Sequence, residues 1–176
     1  MDKQWLLEGA KKQQLASVLN MNKKTERYGL SLSEEEAREL TYEKNETLKI
    51  QRRVELGTSV LPMLIEEFCD SSYISQNNYK DTLIRLQDIF FEFKSEMEDE
   101  ITDQELLHFM REQFDGVCFG DLDYLEGTCL EIFASAIRAG YGGYHNTDGR
   151  GEFSQFDMVV RWDRGLYEAA LEALFG

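Results

Sequence analysis

Apolar residues recur every three or four positions along most of this chain, the spacing of one face of an α-helix. The longest such run predicts a helix over 77–98, where Tyr79, Leu83, Leu86, Phe90, Phe93 and Met97 form a heptad seam widened by Ile89. Leu7, Leu15, Val18 and Leu19 mark an earlier helix over 3–20, followed by a connection at 20–32. Ser33 and Glu36 form a capping box that opens a helix burying Ala37, Leu40 and Leu48 and fading near Arg52–Val54, with Gly57 as the break. Ser59 starts the next helix, with Pro62 tolerated in the first turn and Leu61, Leu64, Ile65 and Phe68 inward.

Thr102 and Glu105 form a second capping box, ahead of Leu106, Leu107, Phe109, Met110 and Phe114. Asp123 and Glu126 form a third such signal, with Leu125, Cys129, Ile132, Phe133, Ala136 and Ile137 inward and Gly140 as the stop. Gly127 inside that helix reads as a point of close helix–helix approach. Glycine-rich 140–155 predicts a loop, 157–162 a short strand or helical turn, and Asp163 the cap of a last helix through Leu174. The expected fold is all-α: one domain of six to seven helices around the 77–98 helix, with at most one short strand near the C-terminus. Any domain boundary would fall in 140–155.

The single proline and 13 glycines support that reading, because a sandwich or barrel needs a turn every eight to twelve residues or so. Charge sharpens it. Nineteen Lys and Arg stand against 34 Asp and Glu, a formal net charge of −15. Residues 1–30 carry six bases and three acids, whereas 86–131 carry fourteen acids and two bases. Such a chain repels nucleic acid and anionic membrane unless it holds a local basic patch. The acidic block is either a solvated face or a surface for a basic protein partner. No nucleic acid, membrane or cofactor is expected to bind.

Three cysteines (Cys69, Cys118, Cys129) show no C-x-x-C and no cysteine–histidine cluster, which excludes the usual zinc patterns. The N-terminus lacks an apolar leader segment and no run reaches about 18 apolar residues, so the expected location is cytoplasmic with reduced thiols. Cys69 and Cys118 would become reactive only if a helix N-terminus lowered their pKa, and otherwise serve as small buried hydrophobes.

Candidate chemistry falls in two places. Asp115 to Glu126 matches a calcium loop at its first, sixth, ninth and twelfth positions (Asp115, Gly120, Asp123, Glu126), but Val117 and Phe119 supply no oxygen at the third and fifth. A structural turn is the simpler reading. Cys118 and Asp121 lie in the same stretch. The other place is the loop with Tyr141, Tyr144, His145, Asp148 and Arg150, where a histidine near an acid could do acid–base work or the loop could bind a partner or merely connect. His108, three residues after Glu105 and four before Glu112, reads as a surface histidine paired with acids. No phosphate-binding loop or nucleophile elbow is present.

Three segments carry a family likeness: "YGLSLSEEEARELTYEKNETL" (28–48), "GTSVLPMLIEEFCDSSYISQNNY" (57–79) and "FDGVCFGDLDYLEGTCLE" (114–131). Over residues 28–138 the chain resembles an uncharacterised bacterial (Firmicutes) family, a domain of unknown function. The resemblance implies a bacterial cytosolic protein and supplies no activity, cofactor or catalytic residue. Two readings stay open: an interaction or regulatory protein acting through its acidic face, or a small enzyme or ligand-binding domain built from the 140–151 loop and the 115–128 segment.

Overall fold

A computed structural model describes residues 3–55 and 59–140, with side chains from residue 9 onward. The expected strand, the last helix and the 141–155 loop lie outside the described residues. All regular structure among the described residues is helical, which makes the fold all-α. The chain divides into two compact units, 1–91 and 92–176.

In the first unit, helix α1 (Lys3–Asn20) packs on α3 (Glu34–Ile50) and on α4 (Val60–Phe68). Between them, α2 (Asn22–Thr25) runs into one 3-10 turn that ends at Gly29, whose φ of 75° is a left-handed stop that costs glycine nothing. Asn22 then clamps the chain, accepting from the Leu32 amide at 2.8 Å and donating to the Leu32 carbonyl at 2.9 Å. Both halves of the Ser33–Glu36 capping box form. The inward face of α3 is Ala37, Leu40, Thr41, Lys44 and Thr47. Leu48, expected inside, is only half-buried. Lys44 takes a core position because its ammonium is met by Glu55 at 2.6 Å.

Glu55 does a second job. Its other oxygen accepts from the Val60 amide at 2.8 Å, so Glu55 satisfies the start of α4 and the Ser59 side chain does not cap it. Helix α5 (Tyr79–Glu96) buries the whole predicted seam from Tyr79 to Met97. On its flank, Asp88 accepts from the Thr47 hydroxyl and, at 2.5 Å, from the Gln87 amide.

In the second unit, two successive residues with positive φ, Glu98 and Asp99, turn the chain after α5. The buried Lys94 secures that turn, donating to the Ile101 carbonyl and pairing with Asp103 at 2.9 Å. Helix α6 (Asp103–Asp115) opens on the complete Thr102–Glu105 capping box. The chain from 122 to 138 is helical throughout but not uniform: α7 (Leu122–Tyr124), a five-residue π turn (Leu125–Cys129), then α8 (Leu130–Arg138). Phe109 and Phe133 stack with ring centroids 3.8 Å apart and planes 9° from parallel. Gly140, with φ of 94°, ends α8 as expected.

Two local expectations fail here. The cap of the 122–138 helix is Asp121, not Asp123: the Asp121 backbone is extended, and its carboxylate accepts from the Asp123 and Tyr124 amides. Gly127 marks no close approach, since a Cβ built there meets nothing within 4 Å. It sits in the π turn, where the backbone departs from α geometry.

Candidate functional site

The segment 115–131 gathers most of the predicted side chains, each placed by a local cause. Asp115 is the last residue of α6 and binds Arg111 one turn back at 2.7 Å. The next residues fold into a tight turn: the Cys118 amide reaches Gln113, the Gly120 amide reaches Phe114, and the Asp121 amide reaches Cys118. Phe119 (φ 48°) and Gly120 (φ 81°) are both left-handed, and the Phe119 ring is 73% exposed.

Asp121 is occupied as a helix cap. Among the described residues, no three His, Cys, Asp or Glu side chains come together as a metal site. Asp115, Asp123 and Glu126 are not grouped as such a site there; Asp115 binds arginine and Asp121 caps a helix. His108 lies 3.7 Å from Glu112 as a half-exposed histidine beside an acid. Tyr141, Tyr144, His145, Asp148 and Arg150 lie outside the described residues.

Two relationships emerge that spacing alone did not suggest. The first joins Cys118 to Cys129, whose sulfurs are 3.6 Å apart in the core of this unit. Hydrogen bonding to its neighbour, then burial, push the Cys118 thiol up, while the same contact pulls Cys129 down. Neither sulfur is in a disulfide.

The second is a carboxylate cluster. Glu92, half-buried on α5, hydrogen-bonds Glu126 in the π turn, with Glu131 and Glu96 close by. Burial first, then the Glu126 contact and the neighbouring negative charges, push the Glu92 carboxyl up to about 7. Glu126 and Glu131 are five residues apart. A π turn closes from residue i to i+5, as the Leu130 amide does on the Leu125 carbonyl, so it can bring that spacing onto one side. All three bases between 92 and 140 are engaged with acids: Lys94 with Asp103, Arg111 with Asp115, Arg138 with Glu96 at 3.0 Å. Thirteen acids against three bases leave this stretch at −10.

The first unit carries the opposite feature. A groove of about 610 Å³ between α1 and α3 is lined by Lys11, Lys12, Arg38, Tyr42, Thr41 and Asn45 among others. Tyr42 is 61% exposed there. The sequence shows an excess of bases near the N-terminus, but Arg38 and Tyr42 join them only through packing of the two helices.

The class these features define is an all-α protein with a strongly acidic helical unit. No helix among the described residues is long and apolar enough to cross a membrane. The profile of a family of unknown function, DUF6323, matches residues 17–143, and the chain belongs to that family. The match extends beyond the quoted segments at both ends. No curated protein and no solved structure matches the chain.

Proposed function

We propose that this chain is an interaction or regulatory protein that binds a protein partner of basic surface through the helical face around Glu92, Glu96, Glu126 and Glu131. The observation that supports the reading most is the Glu92–Glu126 contact. Like charges are held together at a cost, in a stretch whose own cations are already engaged. A basic partner would relieve that repulsion and favour the ionised form of Glu92, so binding would tighten as pH rises from 6 to 8.

The test uses the full chain and the triple variant Glu92→Gln, Glu126→Gln, Glu131→Gln, with proteins captured from its own cells at low and high salt. A partner held by the parent chain at low salt, released at high salt and lost by the triple variant is the expected result. Identical capture by both chains, indifferent to salt, overturns the reading.

A second reading, a small ligand-binding domain, is favoured by the groove between α1 and α3. Its volume is in the range of small-molecule sites, and Lys11 and Lys12 suit an anion, whereas Arg38 is paired with Glu34 at 2.7 Å. Calorimetric titration with a nucleoside triphosphate tests it: heat abolished by Lys11→Ala and Lys12→Ala together supports this reading, and absence of heat removes it. The 140–151 loop adds nothing to either reading, as 141–151 lies outside the described residues.

A further inference from the structure

We propose that Cys118 and Cys129 are a redox-active dithiol site, oxidised by a hydroperoxide to a disulfide that ties the 116–121 turn to the π turn. The two sulfurs stand 3.6 Å apart, and each is fixed by backbone structure. Cys118 is held by its own amide on Gln113 and by the Asp121 amide on its carbonyl. Cys129 is the last residue of the π turn, and such turns occur frequently at functional sites. Closing from that contact to an S–S bond of about 2.0 Å is a short movement of the two sulfurs.

Chemistry assigns the two roles. Either sulfur can donate in this contact, but the shared contact pushes the Cys118 thiol up and pulls Cys129 down, so Cys129 is assigned the thiolate character and Cys118 the proton. In the first step the Cys129 sulfur attacks one peroxide oxygen. The S–O bond forms, the O–O bond breaks, and the departing hydroxide or alkoxide takes a proton to leave as water or an alcohol. In the second step the Cys118 sulfur attacks the Cys129 sulfenic sulfur. The S–S bond forms, the S–O bond breaks, and hydroxide leaves as water with the Cys118 proton. In sum, two thiols and one hydroperoxide give one disulfide, one alcohol or water, and one further water. Two electrons pass from sulfur to oxygen.

Burial selects the oxidant. Cys118 is 4% exposed and Cys129 1%, which excludes a bulky disulfide such as oxidised glutathione and restricts the oxidant to one as small as a hydroperoxide. The inference is independent of the acidic-face reading, since it needs no partner.

The full-length reduced protein is treated with one equivalent of hydrogen peroxide, denatured, alkylated and mapped. No Lys or Arg lies between Arg111 and Arg138, so one tryptic peptide, 112–138, contains both sulfurs. The expected product is that peptide unalkylated and lighter by two hydrogens, restored by dithiothreitol, with Cys69 still alkylated. Cys118→Ala should leave a sulfenic acid at Cys129 that dimedone traps, and Cys129→Ala should trap roughly tenfold less at Cys118. Oxidised glutathione should act at least about tenfold more slowly than peroxide. Cysteines 118 and 129 that stay alkylatable, oxidise no faster than Cys69, or cross-link between molecules overturn the proposal. The wild-type mapping decides it even if a variant does not fold.

Discussion

One carboxylate, Glu55, bridges the Lys44 ammonium at 2.6 Å and the Val60 amide at 2.8 Å, joining a buried charge on α3 to the first amide of α4. The Lys44 side chain is fully enclosed, whereas that of Glu55 is 17% exposed. Removing the acid strands the cation. Glu55→Ala is expected to cost about 3 kcal/mol, because an uncompensated buried charge is costlier than the pair it came from. The double variant Lys44→Met, Glu55→Gln should lose less than Glu55→Ala alone, since it keeps an acceptor for Val60 and removes the charge. Urea unfolding of the parent and both variants measures the difference.

Glu92 should make stability depend on pH in a definite direction. Its carboxyl is raised from an ordinary 4.5 to about 7. Below 4.5 folded and unfolded chains are both protonated there, so the native state keeps its full stability. Between 4.5 and 7 the unfolded chain ionises first, and stability falls until the folded group ionises too. Glu92→Gln removes that loss. It should match the parent at pH 4 and exceed it at pH 8 by about 1 kcal/mol, a figure reduced for the group's solvent exposure. Equal unfolding midpoints at pH 8 would contradict the cluster.

Asp121 is a structural acid, and its substitutions should show it. It accepts from two amides at the start of α7. Asp121→Ala should destabilise the protein by about 1 kcal/mol, while Asp121→Asn should cost a few tenths, since asparagine caps nearly as well. A thermal melt of each distinguishes this role from ligand binding, which would weigh charge over cap geometry.

Arg52, two residues past the end of α3, has φ of 55°, a left-handed conformation that a side chain disfavours. Its amide and that of Arg53 close on the Lys49 and Leu48 carbonyls, an arrangement usually given to glycine. Arg52→Gly should raise the melting temperature, with a gain of about 0.5–1 kcal/mol left after the added freedom of the unfolded chain. A lowered melting point would mean that the arginine side chain stabilises more than its backbone strain costs.

What could be read from the sequence was what neighbours in the chain decide. The α5 seam, the Ser33 and Thr102 capping boxes and the Gly140 stop each depend on residues within a few turns, and each is present. Lys44 was illegible because its burial depends on an acid eleven residues away across a chain break in periodicity. The Glu92–Glu126 contact joins residues 34 apart, and only tertiary packing creates it. No short spacing pairs Cys118 with Cys129, and the π turn that positions Cys129 has no clear mark in a 3.6-residue count. Asp123 drew the cap assignment because its spacing to Glu126 imitates a capping box, while Asp121 wins by having an extended backbone beside two open amides.

The π turn at 125–129 also sets a rule for how this chain can change in length. A π turn holds one residue more than the α turn it replaces, and each α residue advances the helix by about 100°. Excising Gly127 would therefore restore ordinary winding with the face from Leu130 onward kept in phase, leaving Phe133 on Phe109 and Arg138 on Glu96. A glycine whose missing side chain touches nothing is thus a dispensable spacer, whose exchange and whose loss are both absorbed where it stands.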